Sequence, residues 1–105
     1  MNPDGSDIRF ITPRLNGKPQ SMNDLVFDAQ GNLYVTDFTG TLPHPTGGVY
    51  RFSSDFSNVE LILDNLAGPN GISLSPEGNA LWIGETFRNA ILRIALDDDG
   101  VTIAR

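Results

Sequence analysis

Asn70-Gly71-Ile72-Ser73-Leu74-Ser75-Pro76-Glu77-Gly78-Asn79-Ala80-Leu81-Trp82-Ile83 reads as an asparagine, a short alternating strand, a tight Ser-Pro-Glu-Gly turn and a second apolar strand. A near-copy lies earlier in the chain, Asn23-Asp24-Leu25-Val26-Phe27-Asp28-Ala29-Gln30-Gly31-Asn32-Leu33-Tyr34-Val35. Asn70 follows Asn23 by 47 residues, and Gly78 follows Gly31 by the same 47. After one inserted residue, Leu81-Trp82-Ile83 matches Leu33-Tyr34-Val35. A repeat of this length marks an array of small structural units, each of which buries its apolar faces only against its neighbours.

The rest of each unit follows the same order. In the first, Leu25 and Phe27 share one face of a strand and Val26 takes the other. Gly31 stands where a hairpin turn wants a positive φ. Leu33-Tyr34-Val35-Thr36 returns and ends in Asp37-Phe38-Thr39-Gly40. A polar excursion through Thr41-Leu42-Pro43-His44-Pro45-Thr46 leads to a third strand, Gly47 to Phe52, and a fourth, Val59 to Leu63. In the second unit Asn89 to Ile94 matches the third strand after a shorter loop, and Glu85 or Thr86 falls where Asp37 falls. Asp97-Asp98-Asp99-Gly100 reads as an exposed turn before a strand starting at Val101. Upstream, Asp7 to Thr12 alternates as a short strand, and Pro13 to Ser21 is a polar connection.

Four short antiparallel strands per unit of about 40–50 residues is the pattern of a β-propeller blade. The expected fold is therefore all-β, with about two blades of four-stranded antiparallel sheet. Residues 1–22 hold the outer strand of a preceding blade and a connection, 23–69 one complete blade, and 70–105 most of the next. A closed propeller has about four to eight blades, so the chain reads as a fragment of a ring.

Composition narrows the function. The chain has 105 residues, a hydrophobic fraction of 39%, a charged fraction of 19% and a net charge of −6, which fits a globular class. Seven scattered basic residues do not make a nucleic-acid surface, which needs clustered Lys and Arg. There is no cysteine, hence no disulfide framework and no thiolate metal site. No apolar stretch approaches the roughly 20 residues of a spanning helix, so no membrane contact is expected. No basic segment followed by an apolar run marks a signal peptide, and the expected localisation is cytoplasmic.

Read from the residues alone, each asparagine has a plain structural account. Asn70-Gly71 can be a turn leading into a strand, and Asn23 can bond locally to Asp24 or Ser21. Repeat-related positions on adjacent blades also face one channel, so two such amides can converge on one axial site. A hard cation such as calcium takes about six to eight oxygen ligands, among which neutral amide oxygens are suitable.

The sequence resembles a known family at these residues. Asn23 to Asp37, with its Asn-Asp-Leu-Val-Phe-Asp-x-x-Gly-Asn-Leu-Tyr-Val-Thr-Asp pattern, is similar to the senescence-marker-protein (regucalcin)/gluconolactonase family, as is Pro69 to Gly78. Thr36-Asp37-Phe38, Gly47 to Tyr50 and the tail Arg93 to Ile103 look most like its drug-responsive bacterial lactonase branch. The resemblance implies a six-bladed propeller that opens small lactone esters with a divalent metal, most often calcium, in the central channel. It implies that Asn70 is a metal ligand and that Asn23 binds metal or substrate. Two further carboxylates of the family, one an acid/base, have no matching position. The resemblance therefore places no catalytic residue in this chain and implies that the chain alone is inactive.

Other residues read structurally. Asp24 should point away from Asn23, and Asp37 and Glu85 should cap neighbouring turns. Tyr34 and Trp82 should pack. His44, the one histidine, belongs to a solvated loop that could border the channel mouth and touch substrate. The rival to a lactonase-like hydrolase is a non-catalytic propeller that binds a partner, because fold alone does not choose function. Open blade edges would also allow self-association.

Overall fold

The computed structural model describes residues 5, 14–15, 18–19 and 21–98. The expected strands at Asp7–Thr12 and from Val101, and the Asp99-Gly100 part of the last turn, lie outside the described residues. Within the connection, β1 (Arg14–Leu15) pairs antiparallel with β2 (Lys18–Pro19). This short ladder is an addition to the expected polar connection.

The two repeats form two separate sheets. β3 (Met22–Phe27), β4 (Leu33–Asp37), β5 (Gly47–Phe52) and β6 (Val59–Leu66) make a four-stranded sheet in simple sequential order. β7 (Pro69–Leu74), β8 (Ala80–Glu85) and β9 (Ala90–Ala95) make a three-stranded one. All their pairings are antiparallel. A 3-10 turn, Thr86–Arg88, takes the place of the longer loop of the first repeat.

Both inner hairpins close in the same way with different side chains. Gly31 and Gly78 take φ of 86° and 75°, the left-handed region the turns require. In the first turn Asp28 Oδ1 accepts the backbone N–H groups of Gln30 and Asn32 at 2.9 and 2.8 Å. In the second, Ser75 Oγ accepts those of Asn79 and Ala80 at 3.2 and 3.0 Å. Position 28 and position 75 are again 47 apart, so the repeat preserves the role and changes the residue.

Side-chain alternation fixes which faces meet. One face of the first sheet, with Val26, Tyr34 and Val49, packs against Ile72, Leu81 and Ile83 of the second to form the main core. Leu74, Leu92 and Ile94 extend the second sheet's side of that core. The opposite face of the first sheet carries Leu33, Val35, Tyr50 and Phe52 as a second apolar cluster. Leu25 and Phe27 flank this cluster on β3 and remain 52% and 53% exposed. Their repeat equivalents, Ile72 and Leu74, are the residues the first sheet covers. Exposure of Leu25 and Phe27 therefore reflects a face without a covering sheet among the described residues.

The same logic separates Tyr34 from Trp82. Each pairs across strands with an arginine: Tyr34 with Arg51, and Trp82 with Arg93. The guanidinium carbons lie 5.8 and 5.7 Å from the ring centroids, within cation–π range. Tyr34 is buried at the inter-sheet core, whereas Trp82 is 42% exposed. The packing role expected of both holds for Tyr34 alone, because no described sheet covers the far face of the second unit.

Two outcomes follow. Ile83→Ala, at the centre of the inter-sheet core, should destabilise the protein by about 2–5 kcal/mol, whereas Ile91→Ala on the open face should stay within about 0.5 kcal/mol. Urea denaturation measures both. Asp55 closes the turn between β5 and β6 by accepting the backbone N–H of Ser57 at 3.0 Å and the hydroxyls of Ser57 and Ser53, each at 2.7 Å. These bonds, that from the Ser57 N–H foremost, hold its pKa down to about 2 from an ordinary 3.8. The turn's contribution should be complete above pH 3.8 and lost as pH falls through 2. An NMR titration of the Asp55 carboxyl carbon with its midpoint near 3.8 would refute this.

Candidate functional site

The two candidate asparagines occupy equivalent irregularities in the sheets. On β3, Met22 pairs with Asp37 and Leu25 with Val35, so one extra residue bulges between them, at Asn23-Asp24. On β7, Pro69 pairs with Glu85 and Ile72 with Ile83, and the extra residue falls at Asn70-Gly71. A bulge breaks the strict alternation of side chains and re-aims the residue it contains. Asn23 and Asn70 are both exposed, and neither side-chain amide takes part in a hydrogen bond among the described residues. β3 and β7 lie against each other across the inter-sheet contact. The fold thus presents two unengaged amides at the same point of neighbouring first strands.

The backbone around Asn70 is gripped from the first sheet. Thr36, fully buried on β4, donates its hydroxyl to the Asn70 carbonyl at 2.8 Å and accepts the Asp24 N–H at 3.1 Å. Asp24 Oδ2 accepts the Ile72 N–H at 3.1 Å, and its Oδ1 accepts the Leu25 N–H at 2.9 Å. Asp24 therefore works as a structural residue, and its partner is the other repeat. This connection was not foreseen. Its trace in the sequence is a break in the repeat: Gly71 and Gly84 stand where the first unit has Asp24 and Thr36.

Asp37 and Glu85 end equivalent strands and cap equivalent corners. Asp37 Oδ1 accepts the Ser21 N–H at 2.8 Å, and Glu85 Oε2 accepts the Ala67 N–H at 2.7 Å. Of the two candidates matching Asp37, the register selects Glu85 over Thr86, since Met22 pairs with Asp37 as Pro69 pairs with Glu85. Arg88 Nη1 bonds to the same Oε2 at 2.8 Å, while Oε1 is buried without a hydrogen-bond partner among the described residues. Beside this carboxylate a cavity of 360 Å³ is lined by Asn70, Gly84, Glu85, Thr86, Asn89, Ala90 and Ile91.

His44 is exposed in the loop between β4 and β5. Its backbone closes a tight turn with Thr41: the Thr41 N–H donates to the His44 carbonyl at 2.9 Å, and the His44 N–H to the Thr41 carbonyl at 3.2 Å. Its side chain does not line the cavity that Asn70 borders. The structure brings together β3 and β7, which carry Asn23 and Asn70, and leaves His44 outside that cavity. Two neutral amide oxygens fit a hard cation chemically, but they supply a minority of the ligands it takes. Among the described residues, no group of three or more His, Cys, Asp or Glu could hold a metal ion.

Antiparallel sheets in sequential order, stacked face on face by a repeat, define a β-propeller, here two neighbouring blades of it. A solved gluconolactonase from Xanthomonas campestris shares the fold, with a TM-score of 0.78 at 24% identity over 99% of this chain and 38% of that one. A luciferin-regenerating enzyme matches with a TM-score of 0.64 at 23% identity, covering 80% of this chain and 28% of that one. The SMP-30/gluconolactonase/LRE-like region matches residues 2–105, and the chain belongs to that family. Curated relatives include lactonase drp35 of Staphylococcus epidermidis, 46% identical over 100 residues, which cover 95% of this chain and 30% of that protein. Lactonase drp35 of Staphylococcus aureus is 49% identical over 99 residues, covering 94% of this chain and 30% of that protein. The chain thus spans about 30% of the length of these relatives.

Replacing Glu85 by Ala should strand the Ala67 N–H in a buried corner, at a cost of about 1–3 kcal/mol. Amide hydrogen exchange at Ala67 should accelerate accordingly. Unchanged protection at that amide would show that the corner closes without the carboxylate.

Proposed function

We propose that this chain is part of a divalent-metal-dependent lactonase-like hydrolase and contributes two ligands to its metal site. The observation that carries this reading is the pair of exposed, unengaged amides, Asn23 and Asn70, on equivalent bulges of neighbouring strands. The names of the relatives, lactonase and gluconolactonase, support the substrate class, a small cyclic ester.

Asn70 would donate its amide oxygen to the metal. Asn23 would either do the same or hold the substrate, since an amide can both accept and donate hydrogen bonds. Calcium, the favoured ion, would supply a Lewis acid that polarises the lactone carbonyl. The amides add no net charge, so the carboxylate ligands and the acid/base group would come from outside the described residues. In this division of labour the chain's own part is placement: the bulges aim the amides, and the bonds from Thr36 and Asp24 hold the strand that carries Asn70.

Calorimetric titration of the intact protein with calcium tests the reading. Asn70→Ala should weaken binding by about tenfold or more, the loss expected when one coordinating oxygen is removed. Asn23→Ala should weaken calcium binding if it is a ligand, or leave calcium unchanged and raise KM if it holds substrate. Unaltered calcium affinity in Asn70→Ala would remove the basis of the proposal.

A further inference from the structure

Among the positions at which the two units differ, 24 and 36 are joined to each other by hydrogen bonds. Position 24 is Asp in the first unit and its counterpart at 71 is Gly; position 36 is Thr and its counterpart at 84 is Gly. A device needed to build a blade would recur in both units, as the hairpin caps and the corner carboxylates do. This one occurs once. It reaches out of its own sheet, and both its bonds to the second unit land on the backbone flanking the Asn70 side chain.

We propose that Thr36 and Asp24 are positioning residues that set the orientation of the Asn70 amide. The Thr36 hydroxyl bonds the carbonyl of Asn70 itself, and the Asp24 carboxylate bonds the N–H two residues later. Between them these bonds restrain the peptide planes on either side of Gly71, whose lack of a side chain otherwise leaves the strand free to turn there. Gly71 sits in the bulge, where ladder hydrogen bonds are interrupted. The restraint is therefore applied where the sheet's own pairing is weakest. Thr36 is also fully buried, so its hydroxyl needs partners, and the Asn70 carbonyl is the nearer of its two acceptors, at 2.8 Å against 3.3 Å for the Asp24 carbonyl.

The inference rests on the metal reading for its purpose but not for its test. In metal-free, nitrogen-15-labelled protein, Thr36→Val and Asp24→Ala should each lower the order parameter of the Asn70 side-chain amide. The Asn79 side chain, at the far end of the same hairpin, should be unaffected. Thr36→Ser, which keeps the hydroxyl, should restore wild-type order. With calcium, Thr36→Val should weaken binding by about 10–100-fold, as loss of a ligand-orienting partner does, and Thr36→Ser should not. An Asn70 amide equally ordered in wild type, Thr36→Val and Asp24→Ala would overturn the proposal. If Thr36→Val does not fold, Asp24→Ala decides: a loosened Asn70 supports the proposal and an unchanged one overturns it. If calcium fails to shift the Asn70 signals of the intact wild-type protein, the metal reading falls, and the metal-free comparison still decides whether the two residues position the amide.

Discussion

Everything described here depends on one contact, the apolar face of the first sheet laid on the apolar face of the second. A single antiparallel sheet of three or four short strands has two faces and can bury neither alone. The chain solves this by repetition. The face that Ile72, Leu81 and Ile83 turn toward the first sheet is the repeat equivalent of the face that carries Leu25, Leu33 and Val35. Each unit therefore has one face that receives and one that is received, and stacking can continue in either direction. Burial of a hydroxyl such as that of Thr36 within this contact is tolerated because the neighbouring strand supplies an acceptor for it.

Much of this was legible in the chain itself. Alternation at Leu25-Val26-Phe27 assigned the faces, and Gly31 and Gly78 placed the turns. The 47-residue spacing announced two units before any contact was known. The same spacing was misleading at Trp82. It transferred a packing role from Tyr34, whose face has a covering sheet, to a position whose face has none among the described residues. Pattern reports which way a side chain points; what lies there is a property of the assembly.

The candidate site was legible as residues and not as a mechanism for holding them. Asn23 and Asn70 stand out in the sequence, but the bulges that re-aim them are register events, visible only once strands are paired. The bonds from Asp24 and Thr36 cross 48 and 34 residues, respectively, between sheets, beyond any local rule. What the sequence did contain was the negative image of those bonds, two glycines where the repeat predicts a carboxylate and a hydroxyl. Departures from a repeat deserve to be read as closely as the repeat itself. His44 differs from the asparagines: its loop is organised by its own backbone turn with Thr41, and it does not line the cavity beside Asn70.

The corner at Ala67-Gly68 has a wider consequence. Gly68 has φ of 65°, and a Cβ placed on it would lie 2.6 Å from the ring of Phe87, which in turn packs against Phe38 at 5.8 Å. Its N–H donates to the Thr39 carbonyl, and its own carbonyl accepts the Thr86 N–H. One small residue is thus clamped by loops from both sheets at the point where the chain passes from one to the next. In a closed ring every such corner contributes a fraction of a full revolution. An error of a few degrees at each would add with the same sign around the circle, leaving a gap or an overlap at the seam. The tolerance on a single glycine is in that sense a tolerance on circumference.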